Sequence, residues 1–218
     1  CFQSIHNPEN GHIVGYEFLA RSSFPGLESA GRIFQQATAT RLEVELSCLC
    51  RDKALQYSTV IDAAIPVFLN THPAESLLDV TVPHLRQLRN TWPERAIVLE
   101  IHEAAITEPE LIRNVRQELR EIDVRIAFDD FGKGQARIRE LISSSADFVK
   151  FDADLIRDLD RLSSEQRLFF RTIIDGIRKE GVTTIAEGIE TPSMAVTCRE
   201  IGFDLLQGYL YSRPTMLQ

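Results

Sequence analysis

The 218-residue chain lacks any apolar run near the roughly 18 residues that a membrane helix needs, so no membrane contact by this segment is expected. It also lacks a secretory signal. Cysteine is scarce, limited to Cys1, Cys48, Cys50 and Cys198. No two of these form a CxxC pair, which removes the commonest thiolate metal site. Cys48 and Cys50 fall two apart on an expected helix, where side chains diverge. All four read as reduced thiols acting as small hydrophobes, which places the chain in the cytoplasm. Positive charge is in deficit, with 24 Lys and Arg against 32 Asp and Glu and a net charge of -8. That balance argues against a nucleic-acid surface, and no DNA partner is expected. It leaves room for a small anionic substrate, because bound metal ions supply positive charge locally. There is no glycine-rich fingerprint after a strand, and no repeat, linker or low-complexity segment. The chain begins at Cys1 rather than Met and enters a strand-like run at once, so it is expected to have been cut from a longer protein.

What remains is the composition of a soluble globular protein with a full core, 44% hydrophobic and 26% charged. Strand signals at residues 2–6 and 12–20 flank Asn7-Pro8-Glu9-Asn10-Gly11, which is strong turn chemistry. Five residues close a hairpin but cannot make a parallel crossover, so these two strands should be antiparallel. A helical stretch at 28–56 follows, with a break expected near Thr38-Ala39-Thr40. Strand-like runs then occur at 66–70, 96–102, 124–131, 147–152, 183–187 and 204–208. Helical patterns fill the gaps at 83–92, 109–122, 136–143, 163–180 and 192–201. Pro109 and Pro192 suit first-turn positions, Ser163 with Gln166 forms a capping box, and Gly181 is placed to end its helix.

Alternating strands and helices predict a parallel sheet covered by helices. Eight strands in one chain of this length favour closure over residues 1–218 as a single domain. The expected fold is α/β: a modified TIM-type (β/α)8 barrel with one antiparallel strand. An open doubly wound sheet is the runner-up.

The strand ends carry the chemistry. Glu17, Asn70, Glu100, Asp129 with Asp130, Lys150 with Asp152, Glu187 and Gln207 each lie at or near one. In a strand-helix barrel these ends converge on one face. Taken singly, each is an ordinary strand end or helix cap. Together, crowded carboxylates repel one another unless something neutralises them. Oxygen ligands of this kind suit magnesium, manganese or calcium, whereas zinc prefers His and Cys. Asp129-Asp130 at a strand-to-loop junction suits two metals about 3.5–4 Å apart, the clamp used for in-line phosphoryl displacement. Lys150 either holds a water or phosphate oxygen beside them or balances the surplus carboxylates. His102 is left outside the ligand set, and His6, His12, His72 and His84 show no ligand spacing.

Six segments carry a resemblance. Gly15-Tyr16-Glu17-Phe18-Leu19-Ala20-Arg21, Val98-Leu99-Glu100-Ile101 and Phe128-Asp129-Asp130-Phe131-Gly132 come first. Val149-Lys150-Phe151-Asp152, Ala186-Glu187-Gly188-Ile189-Glu190 and Gln207-Gly208-Tyr209-Leu210-Tyr211-Ser212-Arg213-Pro214 follow. In this order they resemble the EAL-domain cyclic di-GMP phosphodiesterases, over essentially the whole chain. The resemblance implies a barrel with one antiparallel strand, two Mg2+ or Mn2+ ions with calcium as a candidate inhibitor, and hydrolysis of cyclic di-GMP to linear pGpG. By position it implies that Glu17, Asn70, Glu100 and Asp129 hold one metal, and that Asp129, Asp130 and Glu187 hold the other. Glu17 and Glu187 would thereby serve catalysis, with Lys150 and Gln207 positioning the attacking water. Arg21 would grip a phosphate. Gln3, Leu19, Asp152 and Pro214 would help bind the nucleotide. Glu190 would anchor a loop that couples metal binding to dimerisation. A homodimer and a fused sensory or signalling domain are further implications.

Several positions depart from the family pattern. Phe18 replaces Ala, Ser4 replaces Pro and His102 replaces Thr. Lys133-Gly134-Gln135-Ala136-Arg137 stands where the family has small residues and then Tyr-Ser-Ser. None of these removes a metal ligand, but a Lys and an Arg in that loop bring positive charge toward the second metal. The alternative reading is therefore a catalytically weak or inactive cyclic di-GMP receptor. An unrelated metal-dependent aldolase barrel fits the strand ends but not the motif order.

Overall fold

A computed structural model describes residues 1–102, 109–132 and 146–216. Eight strands close into a barrel in sequence order: β1 (Phe2–His6), β2 (Ile13–Phe18), β3 (Val67–Asn70), β4 (Ile97–His102), β5 (Val124–Phe131), β6 (Phe148–Phe151), β7 (Thr183–Ala186) and β8 (Leu205–Gln207). β1 runs antiparallel to both its neighbours, β2 and β8, while every other adjacent pair is parallel. The expected barrel and its one reversed strand are both present.

The hairpin forms as its sequence dictates. Asn7 Oδ1 accepts from Glu9 N at 2.8 Å, and Gly11 adopts φ +71. The first long helical stretch splits into α1 (Ala30–Thr40) and α2 (Glu43–Tyr57). The break falls at Arg41, in the left-handed region at φ 58, one residue past the expected point. α3 (Val82–Thr91) follows a π-turn at Leu77–Thr81, and α4 (Pro109–Arg120) begins at the expected proline. The helix expected at 136–143 lies outside the described residues. A four-residue helix, α5 (Ala153–Ile156), has no periodic signal in the sequence and was not expected. α6 (Ser164–Lys179) carries the reciprocal Ser163–Gln166 capping box, and α7 (Pro192–Ile201) has Pro192 in its first turn.

Period-two alternation divides each strand between two cores. Outward residues such as Val67, Leu69, Ile97, Leu99, Ile101, Phe128, Val149, Phe151 and Leu206 pack with the helices. Inward residues form a separate small cluster of Ile5, Phe68, Val98, Ala127, Phe148 and Ile185, with Val14 and Leu205 against it. On all six strands from β3 to β8, the residue two places after the inward apolar one is a polar strand-end residue. The pairs are Phe68 and Asn70, Val98 and Glu100, Ala127 and Asp129, Phe148 and Lys150, Ile185 and Glu187, and Leu205 and Gln207. On the reversed β1 the step is backwards, from Ile5 to Gln3. The apolar layer therefore forms a dry floor, and the polar layer lies directly on it.

Beyond β8 the chain returns across the mouth of the barrel. Ile189 N donates to Gln207 O at 3.0 Å and Leu210 N to Ile189 O at 2.9 Å, with Gly208 between them. A Cβ on Gly208 would lie 2.2 Å from both Ile189 N and Ile189 O. Backbone cannot move aside as a side chain can. Gly208→Ala is expected to destabilise the protein by about 3 kcal/mol, at the upper end of overpacking costs. A lowered urea midpoint at unchanged slope would show it.

Candidate active site

The polar layer centres on Lys150, which is fully buried at 0% exposure. Its ammonium lies 2.6 Å from Glu100 Oε1, 2.9 Å from Glu187 Oε1, 3.2 Å from Asp129 Oδ1 and 3.3 Å from Glu17 Oε2. Four strands other than its own thus send carboxylates to one cation, leaving a formal excess of three negative charges. Burial alone would lower the Lys150 ammonium, but Asp129, Glu100, Glu17 and Glu187 outweigh it and hold it well above the usual lysine range. Burial pushes the Glu100 carboxyl well above the carboxylate range, and the Glu17 carboxylate pushes the same way. Burial likewise pushes Glu187 up to about 8 against the opposing pull of Lys150.

The seam between β1, β2 and β8 supplies the amides. Register places Gln3 opposite Glu17 and Ile5 opposite Gln207. Gln207 Nε2 donates to Glu17 Oε2 at 2.6 Å and to Gln3 Oε1 at 3.3 Å. Asn70 Nδ2 donates to Glu17 Oε1 at 3.2 Å, so both oxygens of Glu17 are held.

Asp129 and Asp130 are consecutive, yet both serve the site. β5 bulges against β6 between Phe128 and Phe131, and Asp130 takes a left-handed φ of 59. Such a bulge re-aims side chains that strict alternation would send to opposite faces. Asp129 meets Lys150. The Asp130 carboxylate groups with those of Asp152 and Glu187, the ligand atoms all lying within 4.8 Å of one another. Asp130 also pairs with His102 Nε2 at 2.9 Å. Asp152, expected to bind nucleotide, belongs to this acidic trio and also caps α5, accepting from Asp154 N at 2.8 Å.

These residues fit hard cations. The donors are oxygens, the carboxylates exceed the local cation, and Glu100 Oε2 and Gln207 Oε1 are buried without a hydrogen-bond partner among the described residues. Beside them a cavity of about 290 Å³ is lined by Gln3, Glu17, Leu19, Glu187, Glu190 and Gln207, together with Ala153, Gly188, Gly208 and Tyr209. Tyr209 and Ala153 were given no role from the sequence: Tyr209 lies within the terminal 207–214 segment, and Ala153 directly follows Asp152. Three expected nucleotide contacts, Arg21, Asp152 and Pro214, are not among the residues lining this wall. Arg21 is exposed and donates to the neighbouring Ala20 carbonyl at 2.7 Å, and Pro214 lies on the return segment tied down by the Phe2–Thr215 bridge. The loop at 133–137 lies outside the described residues.

The family model described as "EAL domain" matches residues 1–214. The chain belongs to the EAL domain family. Among relatives of this EAL domain, the cyclic di-GMP phosphodiesterase NbdA of Pseudomonas aeruginosa is 31% identical over 60% of this chain and 17% of its own length. The probable cyclic di-GMP phosphodiesterase PdeN of Escherichia coli is 26% identical over 100% of this chain and 43% of its own length. The chain therefore spans less than half the length of these curated relatives. In structure, the EAL domain is similar to the phosphodiesterase PaMucR in its c-di-GMP complex, at 25% identity and a TM-score of 0.84, covering 98% of this chain and 90% of that one. It is equally similar to Klebsiella pneumoniae BlrP1 in a manganese and cyclic di-GMP complex, with 25% identity and a TM-score of 0.84, over 98% of this chain and 55% of that one.

The charge balance of this EAL site is testable without substrate. In chelator, Lys150→Met is expected to cost roughly 3–5 kcal/mol, as when one partner of a buried ion pair is removed. Added manganese should then raise the melting temperature of the variant more than that of the parent. Equal responses would show that the ammonium does not compensate the carboxylates.

Proposed function

We propose that this EAL domain hydrolyses one phosphodiester bond of cyclic di-GMP, releasing linear pGpG, with two divalent cations, Mg2+ or Mn2+. The observation that carries the reading is the convergence of Glu17, Glu100, Asp129 and Glu187 on Lys150 beside the cavity. One cation would be held by Glu17, Asn70, Glu100 and Asp129, and the other by Asp129, Asp130 and Glu187, with Asp152 in the same group. When bound, the two ions would activate a water and neutralise the phosphate oxygens.

The chain's own residues do the rest. Lys150 donates toward the attacking oxygen, and Gln207 offers it the buried acceptor Oε1. The dry layer of Phe68, Val98, Ala127 and Phe148 beneath keeps bulk water from entering from below. Water adds to phosphorus, the bond from phosphorus to the ribose 3′ oxygen breaks, and that oxygen leaves with a proton. Gln3 and Leu19, on the cavity wall, would contact the nucleotide.

Purified protein with magnesium or manganese is expected to convert cyclic di-GMP to pGpG, read by chromatography, and to stop in chelator. Glu17→Ala should abolish turnover while leaving the melting temperature in chelator close to that of the parent. Tight nucleotide binding with no product at high enzyme concentration would overturn the proposal and make the domain a receptor.

A further inference from the structure

On the outer side of β3, α2 sends Arg51 into the protein at 1% exposure, among the largest fully buried side chains. Its guanidinium grips Glu75 with both arms, Nη1 to Oε1 at 2.9 Å and Nη2 to Oε2 at 2.6 Å. Glu75 also accepts from His72 N at 2.7 Å and Thr81 Oγ1 at 2.9 Å, so the loop after β3 is folded around the pair. Ser47, Cys48 and His84 take further Arg51 donors, and His84 is in turn bonded to Asp52 Oδ1 at 2.9 Å. Burial alone would raise the Glu75 carboxyl, but the hydrogen bonds from Arg51 reverse this and lower it. The pair is therefore ionised and fully engaged.

One contact of this cluster leads into the site. Arg51 Nη1 donates to the backbone carbonyl of Asn70 at 3.1 Å. Asn70 is the last residue of β3, and its carboxamide meets Glu17 inside the barrel. The next residue, Thr71, is tied to Glu100 O through both N and Oγ1, at 3.1 and 2.8 Å. The Asn70 peptide is thus gripped from outside by Arg51 while its side chain works inside. A buried ion pair contributes little net stability relative to an apolar replacement. What this pair supplies is direction, because a planar fork fixes its partners where an ammonium would not.

We infer that Arg51 and Glu75 form a positioning clamp which aims the Asn70 carboxamide into the metal-binding layer. The inference rests on the reading of Asn70 as a cation ligand. Groups that orient ligands in this way typically change metal affinity or activity by about 10–100-fold when altered.

The test titrates manganese into the metal-free full chain by calorimetry, for the parent, Arg51→Lys, Asn70→Ala and the double variant. Melting temperatures in chelator are measured alongside to confirm folding. Arg51→Lys keeps a charge opposite Glu75 but cannot span both its oxygens and the Asn70 carbonyl. It is expected to weaken manganese binding about 10-fold or more. In the Asn70→Ala background the same change should add less than about twofold, because the two residues act as one unit. Unchanged affinity in folded Arg51→Lys overturns the clamp, as does a full additive loss in the double variant, or a loss in Arg51→Lys with none in Asn70→Ala. If Arg51→Lys fails to fold, the paired change Arg51→Met with Glu75→Leu, which removes both charges, is judged by the same affinities. Absence of manganese binding by the parent would instead sink the proposed function itself.

Discussion

Like charges in a dry interior must be compensated, and the barrel is organised around that requirement. Four carboxylates reach one buried ammonium because the strands β4, β5 and β7 each place an acid one inward step beyond an apolar residue, while β2 contributes Glu17 beside them. The apolar layer removes water from below, which strengthens every interaction above it and raises the cost of any unpaired charge. Lys150 meets part of that cost. The remaining negative excess and the unpartnered oxygens of Glu100 and Gln207 make the layer receptive to hard cations. Stability and ligand preference thus come from the same set of side chains.

The reversal of β1 contributes to this arrangement in its own way. An antiparallel strand reads its alternation backwards, so Gln3 rather than a later residue stands on the polar layer, next to Glu17 and Gln207. The bulge in β5 is a second local irregularity with a comparable result, since it brings two consecutive acids to one side. Both depart from an ideal barrel at the face where the chemistry would lie. Irregular strands are frequent next to active sites for this reason.

Much of this was legible in the sequence because buried parallel strands are short, apolar and sharply bounded. All eight strands lie within the expected runs, and the capping box at Ser163 and the hairpin at Asn7 follow from side-chain chemistry read locally. The strand-end acids were visible as a set. Other features depend on partners far away in sequence and carry no local mark. The break at Arg41 uses a left-handed residue where glycine would have announced it. The grouping of Asp152 with Asp130 and Glu187 depends on how three strands end together. Arg51 and Glu75 are 24 residues apart, and nothing in the helical pattern of α2 says that its single arginine points inward. Arg21 and Pro214 show the opposite case, in which a motif was clear but the side chain does not line the cavity.

The bridge between Phe2 and Thr215 has a mechanical consequence. In a barrel whose first strand runs with the others, the polypeptide enters at the end opposite the polar layer. Here β1 starts at the mouth, and Phe2 N lies 3.0 Å from Thr215 O. Entry and exit are fastened together on the rim, with Gln3 on one of the fastened strands and the return segment on the other. Phe2 N donates to Thr215 O and Thr215 N to Phe2 O, both at 3.0 Å. A pull on either segment therefore loads this one pair of backbone hydrogen bonds, a single residue from Gln3 on the cavity wall.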